Sequence, residues 1–290
     1  MKIFKLSAIL CACVLLTGCV DQSGGGQEES KERIGATSVA TCEILDRLNV
    51  DDVVGVPESA AYEVPERYSQ AEKLGSPMAP NMEIVKSLTP TLVMSPNSLE
   101  GELKPQYDAI GVESYFLNLK SVDGMYESIV EIGERLHKEK EAEDLVKEYE
   151  EFKEEYSKKH EHLDAPSVLI LMGLPGSYVV ATESSYVGSL VKLAGAENIY
   201  GDGDGQDFLN TNTEDMLAKN PDIILRTSHA MPEMVQAMFA EEFETNDIWK
   251  HFDAVKNGRL YDLSNELFGM SATFRYPEAL EHLQSVLYGL

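Results

Sequence analysis

Residues 81–93, NMEIVKSLTPTLV, and residues 212–224, NTEDMLAKNPDII, follow one plan at two distant places in the chain. In each stretch a glutamate, Glu83 or Glu214, stands seven residues before a proline, and that proline begins an apolar run typical of a buried strand. Because an internal repeat reveals architecture, the match predicts two α/β lobes of similar build. Both glutamates fall in the first turn of a predicted helix, where the helix dipole favours negative charge.

Short apolar runs alternate with helical patterns on both sides of this repeat. The predicted strands are Ile34–Thr37, Val53–Val56, Leu92–Ser95, Ser114–Leu117, Ser167–Met172, Ser177–Ala181, Ile223–Arg226 and Arg259–Asp262. Strands that alternate with helices are typical of βαβ units and parallel sheets.

A stretch rich in Glu and Lys, residues 138–162, separates the two groups of strands. Its apolar residues fall on one stripe, which consists of Leu145, Val146, Tyr149, Phe152 and Tyr156. This spacing predicts one amphipathic helix about 37 Å long at about 1.5 Å per residue. The predicted fold is therefore α/β, with two Rossmann-like lobes joined by a single long helix. The boundaries are an N-terminal lobe at 33–137, a linking helix at 138–163 and a C-terminal lobe at 164–290.

The amino terminus has the pattern of a secretory signal. Lys2 and Lys5 precede the apolar run Leu6–Leu16, which is too short to span a bilayer. The run ends in Leu-Thr-Gly-Cys at 16–19, which resembles a bacterial lipobox and predicts cleavage after residue 18 and lipidation of Cys19. Residues 19–32 then form a lipidated cysteine and a flexible tether. Two or more acyl chains anchor a protein stably, so we expect it on the outer face of the cell membrane.

Composition excludes several classes of protein. With 43% hydrophobic and 26% charged residues the chain is globular rather than disordered or membrane-spanning. Its 50 acidic against 24 basic residues give a net charge of −26, which disfavours nucleic acid as a partner because phosphate recognition rests on basic patches. After the predicted cleavage Cys42 is the one unmodified thiol, so no disulfide or zinc site within the chain is expected.

Common catalytic motifs are absent from the sequence. It lacks the G-x-S-x-G elbow of serine hydrolases, the phosphate loop of nucleotide hydrolases and the H-E-x-x-H pair of metalloproteases. We therefore expect a binding protein rather than an enzyme.

Two residues stand out as candidate ligands. His229 lies three residues beyond the predicted strand that ends at Arg226, and loops after the carboxyl ends of parallel strands are where open α/β sheets bind ligands. Met78 lies between two prolines in the loop 74–81, which shows neither a helical nor a strand pattern. A thioether and an imidazole are a donor pair that proteins use for haem iron. The residues alone leave two alternatives open, a histidine that caps its turn and a methionine that packs back onto the sheet.

Three longer sequence segments resemble those of a known family, and the resemblance extends over nearly the whole chain. They are LMGLPGSY at 171–178, NPDIILR at 220–226 and NDIWKHF at 246–252. Together with the lipobox and the paired glutamates, they resemble the haem-receptor lipoproteins of iron-regulated ABC import systems, which belong to the class III substrate-binding proteins. The resemblance implies haem as the transported ligand, with Met78 and His229 as its axial ligands.

The same resemblance implies further contacts. Residues of the first strand-to-helix turn, here Val39 and Ala40, and of the loop after the second strand, here Ser59 and Ala60, touch the macrocycle. This chain departs from the family at Ala60, where a tyrosine is found, and the role of the nearby Tyr62 is left open.

Paired glutamates in this class bind arginines of the permease, which implies that role for Glu83 and Glu214.

The lipobox and the resemblance together imply a lipid-anchored, monomeric receptor. By the same resemblance, it takes haem from a cell-surface donor protein and delivers it to an ABC permease that a separate ATPase drives. A receptor for a ferric siderophore or cobalamin is the alternative within the same fold. A metal-ion receptor is disfavoured by the scattered histidines. A haem-dependent lipoprotein enzyme is disfavoured because two protein ligands leave the iron no site for oxygen.

Overall fold

The computed structural model describes residues 32–59 and 62–289. The first lobe contains strands β1 (Ile34–Ala36), β2 (Val53–Val56), β3 (Glu72–Lys73), β4 (Gly75–Ser76), β5 (Ala79–Pro80), β6 (Leu92–Pro96) and β7 (Ser114–Leu117). Its helices are α1 (Val39–Arg47), α2 (Met82–Ser87), α3 (Glu100–Ile110) and α4 (Val122–Arg135). Five strands form a parallel sheet in the order β3-β2-β1-β6-β7, while β4 and β5 pair separately. All carboxyl ends of this sheet therefore lie along one edge.

The second lobe follows helix α5 (Glu139–Ser157). Its strands are β8 (Ser167–Leu174), β9 (Ser177–Ala181), β10 (Glu197–Asn198), β11 (Phe208–Leu209), β12 (Ile223–Ser228) and β13 (Leu260–Asp262). Its helices are α6 (Tyr186–Leu193), α7 (Thr213–Lys219), α8 (Pro232–Thr245), α9 (Asp253–Lys256) and α10 (Tyr276–Tyr288).

The second sheet is mixed rather than wholly parallel. Its strand order is β11-β9-β8-β12-β13, and β10 also pairs with β8. The neighbours β8, β12 and β13 are parallel, but β9 runs antiparallel to β8. The reason is the two-residue connection Pro175-Gly176, in which Gly176 has a φ of +82°. So short a connection allows only antiparallel pairing, because a parallel neighbour needs a long crossover.

Helix α5 is shorter than its sequence pattern predicts. It begins at Glu139, as expected, but ends at Ser157 and spans about 28 Å instead of extending to His162. Beyond Tyr156 the stripe supplies no apolar residue, and the chain turns through Lys158, Lys159 and His160 instead.

The predicted apolar stripe of α5 is confirmed as its packing face. The ring of Tyr149 stacks on Tyr126 of α4 with centroids 4.3 Å apart and meets Tyr276 of α10 edge-on at 5.6 Å. One turn beyond Phe152, the hydroxyl of Tyr156 donates to the carbonyl oxygen of Leu280 at 2.8 Å. Helix α5 thus packs against a helix of each lobe.

Further bonds join the two lobes. The amide of Ala272, after β13, donates to the carbonyl oxygen of Leu119, after β7, at 2.8 Å. Lys120 forms an ion pair with Asp207 of the second lobe at 2.9 Å. A single hydrophobic cluster contains buried residues of both lobes. The carboxyl edges of the two sheets therefore face each other.

No helix in the described part of the chain is both long and apolar enough to cross a bilayer. The predicted signal peptide and Cys19 lie outside the described residues.

We expect the two lobes to move little when a ligand binds, because α5, the shared core and the loop bonds all restrain a hinge. Small-angle X-ray scattering of residues 20–290, free and loaded with haemin, should give the same radius of gyration within error. A compaction of several ångströms on loading would contradict this expectation.

Candidate functional site

Met78 lies at the tip of a hairpin on the first lobe. The predicted loop 74–81 is in fact a hairpin, in which Gly75 pairs with Pro80 across β4 and β5 and the turn consists of Pro77 and Met78. The side chain of Met78 is 56% exposed. It therefore does not pack back onto the sheet, which was the alternative interpretation of this residue.

Backbone bonds fix the hairpin at the carboxyl end of β2. The amide of Leu74 donates to the carbonyl oxygen of Val56, and that of Glu58 donates to Gly75, both at 2.8 Å. The buried side chain of Leu74 lies directly over Gly55, where an added Cβ would come within 2.6 Å of Leu74 Cδ2. A side chain at position 55 would therefore push Leu74, and the hairpin that follows it, away from the sheet.

The turn between β1 and α1 lies at the same edge. The hydroxyls of Thr37 and Ser95 hydrogen bond at 2.8 Å, and Ser38 caps α1 by accepting from the amide of Thr41 at 3.1 Å. Val39 is half-buried and Ala40 is buried in the first turn of the helix. This turn is rigid and small, and its side chains are apolar at the two positions predicted to touch a ligand.

The loop after β2 reaches across to the second lobe. Ser59 accepts from the amide of Tyr62 at 3.0 Å, and the hydroxyl of Tyr62 donates to the carbonyl oxygen of Asn265 at 3.4 Å. Burial, together with the nearby Glu266, raises the pKa of Tyr62, so its hydroxyl stays protonated at neutral pH. Ala60 lies outside the described residues. Sequence reasoning did not find the bridge of Tyr62 to Asn265, because no local pattern signals a bond between such distant residues.

His229 lies at the carboxyl end of β12, on the facing edge. Its amide donates to the carbonyl oxygen of Gly173 in β8 at 3.0 Å, which continues the pairing of these strands by one residue. The imidazole is half-buried, and its Nδ1 atom is buried with no hydrogen-bond partner among the described residues. Burial lowers the pKa of His229, so the ring is neutral at pH 7 and has a lone pair for a metal. The alternative was a histidine whose ring caps the turn. It is not supported, because a capping ring would form a hydrogen bond through this nitrogen.

Two contacts fix the strand that carries His229. A Cβ at Gly173 would lie 2.1 Å from Val235 Cγ1, so α8 packs directly on β8. Arg226 pairs with Asp262 in a two-bond arrangement, Nε to Oδ1 at 2.8 Å and Nη2 to Oδ2 at 2.6 Å, and this pair joins the ends of β12 and β13. The position of His229 is therefore set by the sheet rather than by a free loop.

Met231, two residues after His229, adopts an unusual backbone conformation. It precedes α8 with φ 50° and ψ 57°, the left-handed region, and makes no side-chain cap bond. For a residue other than Gly or Asn this conformation costs about 1–2 kcal/mol. The side chain is 53% exposed. The sequence contains a signal for this unusual N-terminus of α8. Met231 directly precedes Pro232, and a capping side chain is expected at that position.

Glu83 and Glu214 occupy matching positions on the two lobes, as the repeat predicts. Both lie in the first turn of their helices, α2 and α7, and Asn81 and Asn212 cap those helices. Both glutamates are exposed, and neither carboxylate forms an ion pair with a described residue. Cys42 is buried, and burial raises its pKa to about 12, which makes the thiol inert.

Residues 32–59 and 62–289 contain no group of three or more His, Cys, Asp or Glu that could hold a metal ion. The described site offers the exposed thioether of Met78, the half-buried imidazole of His229 and small apolar turns along two facing edges.

Comparison with known proteins agrees with this geometry. The model of the periplasmic binding protein family matches residues 34–267. The chain is 43% identical, over 99% of both chains, to the high-affinity heme uptake system protein IsdE of Staphylococcus aureus strain Newman.

Two solved structures share the fold closely. A substrate-binding protein of an ABC transporter from Listeria monocytogenes EGD-e is 44% identical over 90% of this chain and all of its own, with a TM-score of 0.84. S. aureus IsdE in complex with heme is 42% identical over 89% of this chain and 99% of its own, with a TM-score of 0.83. These likenesses confirm the predicted resemblance and agree with the expectation of a binding protein rather than an enzyme. The chain therefore belongs to the periplasmic binding protein family, and its two lobes with their joining helix have the class III fold that the sequence predicted.

Proposed function

We propose that the chain is the haem receptor of an ABC importer and holds one haem between its lobes for transport. The observation that carries this proposal is the pair of donors on the facing edges. The thioether of Met78 is exposed on one edge, and the half-buried, neutral imidazole of His229 lies on the other. The full-length likeness to a heme uptake protein supports it.

A thioether and an imidazole are suitable ligands for haem iron, and together they favour transport of haem over catalysis. Methionine and histidine are axial ligands that proteins use for haem. When both axial positions are filled by protein, the iron has no open site for oxygen, so the bound haem is carried unchanged. The turn at Val39 and Ala40 and the loop at Ser59 offer backbone and small side chains against the flat ring, and Ala60 belongs to the same proposed contact.

The proposal predicts saturable binding with a ligand-specific spectrum. Absorption titration of residues 20–290 with haemin should saturate at one equivalent and give a six-coordinate, low-spin spectrum. Met78→Ala and His229→Ala should each alter that spectrum and weaken binding by at least roughly tenfold, since even outer partners of metal ligands are worth about 10- to 100-fold in affinity. Met234→Ala, a change at another half-exposed methionine, is the matched control and should bind as the wild type does.

Two outcomes would count against this account. Saturable binding that is unchanged in both ligand variants would keep haem as the ligand but reject Met78 and His229. No saturable binding would reject haem, and titration with a ferric siderophore and with cobalamin would then identify the alternative receptor.

We further propose that Glu83 and Glu214 bind arginines of the permease. They are exposed, unpaired within the described residues and placed alike on both lobes, so one receptor can contact two equivalent surfaces. The permease, driven by its separate ATPase, would accept haem from a monomeric receptor. That receptor is loaded by a cell-surface donor protein and is held at the outer face of the membrane by the lipid on Cys19.

This docking role predicts a defect in transport without a defect in binding. With a haem-import permease and its ATPase reconstituted in liposomes, Glu83→Ala/Glu214→Ala should lower receptor-stimulated ATP hydrolysis several-fold, while haem affinity is unchanged. Glu102→Ala, another exposed glutamate in a first helical turn, is the matched control. Full stimulation by the double variant would contradict the docking role.

A further inference from the structure

Few large apolar side chains are exposed in the described part of the chain, and half of them are methionines. The set is Tyr62, Met78, Val130, Leu163, Met231 and Met234. A methionine normally fills a core, so each exposed one needs an explanation. The proposed function accounts for Met78 but not for Met231 or Met234, and of these two only Met231 has a left-handed backbone.

Methionine is an unfavourable residue for the backbone conformation at position 231. The helices whose first turn is capped by a side chain use small polar residues, namely Ser38, Asn81, Ser121, Ser185 and Asn212. Met231 stands at the same position of α8 and supplies no cap, as is also true of the residues that precede α3, α5, α9 and α10; it differs from all of them in its left-handed backbone. Asn or Gly would relieve the backbone strain. Since half of the side chain is exposed, core packing does not account for methionine either.

Met231 is close to the proposed iron ligand along the chain. It follows His229 by two residues, so their Cα atoms are at most about 7.6 Å apart. The backbone between them is fixed at one end by the bond of His229 to Gly173 and at the other by Pro232, the first residue of α8. The thioether itself has three rotatable bonds, so it can move while its backbone does not.

We propose that Met231 is a second thioether ligand on the His229 side of the site, which takes the haem iron when the imidazole leaves it. This inference rests on the proposed function. In the exchange the bond from iron to the imidazole nitrogen breaks and a bond from iron to the Met231 sulfur forms. No electron or proton is transferred, and the oxidation state of the iron is unchanged. With Met78 on the opposite side, the iron is then held by two neutral thioethers.

Such an exchange gives the receptor a release step. Ferric iron binds a soft thioether less strongly than it binds imidazole, so His229 holds the iron while the receptor is loaded. The Met231 sulfur keeps the iron six-coordinate once the imidazole is displaced. Because this bond is weaker than the bond to imidazole, the receptor then releases the haem to the permease more readily.

The test uses variants in a background without the imidazole. We expect haem-loaded His229→Ala to remain low-spin and six-coordinate, with the near-infrared magnetic circular dichroism of bis-thioether iron. His229→Ala/Met231→Leu should become high-spin and lose haem to apomyoglobin at least tenfold faster than His229→Ala. Met234 lies in the same helical turn with helical geometry, so His229→Ala/Met234→Leu is the matched control and should behave as His229→Ala.

The outcomes separate this inference from the function on which it rests. A wild-type protein that binds no haem would overturn both. A wild-type spectrum that depends on Met78 and His229, together with a high-spin His229→Ala, would overturn the role of Met231 alone. An unchanged low-spin spectrum in His229→Ala/Met231→Leu would also overturn it.

A second measurement excludes a purely structural role for the side chain. Met231→Asn should raise the melting temperature of the haem-free protein, because asparagine suits the left-handed conformation. A fall in that temperature would show that Met231 stabilises the fold and would contradict the inference.

Discussion

The bond from the amide of Ala272 to the carbonyl oxygen of Leu119 ties the loop after the last strand of one sheet to the loop after the last strand of the other. Through this bond, the carboxyl edges of the two sheets face each other, and the bond of Tyr62 to Asn265 adds a second bridge. Helix α5 supports the arrangement from the side, since its aromatic stripe packs on α4 and α10 together. Without these connections, each lobe could still bind a ligand at its own loops. The two lobes could not, however, present donors to the same ligand.

The two proposed ligands are held in different ways that suit their chemistry. His229 continues the pairing of β12 with β8, and its ring is kept neutral by burial, so the imidazole is positioned and ready to coordinate. Met78 stands on a two-residue turn whose base is fixed by Leu74 over Gly55, so the backbone is held while the thioether remains exposed. A rigid imidazole and an adaptable thioether together can accept a rigid planar ligand without a large movement of the lobes.

Much of this fold could be predicted from local patterns. The repeat around Glu83 and Glu214 predicted two similar lobes, and the stripe on α5 predicted its packing face, because both follow from regular spacing of residue types. The end of α5 at Ser157 and the hairpin under Met78 were not predicted. The end of α5 depends on where its apolar packing partners end. The hairpin consists of two-residue strands, which are too short to show an alternation of apolar and polar residues. The bridge of Tyr62 depends on a contact between distant residues, which a sequence pattern does not encode. For Met231 the sequence signals only its place before Pro232, and the strain itself depends on backbone angles.

The central claim is that one haem iron is bound by sulfur from the first lobe and by nitrogen from the second. Extended X-ray absorption at the iron edge of the haem-loaded protein tests it directly, because sulfur and nitrogen scatter differently. The account predicts one sulfur and five nitrogen neighbours, with the sulfur lost in Met78→Ala. A first coordination shell without sulfur in the wild type would contradict it.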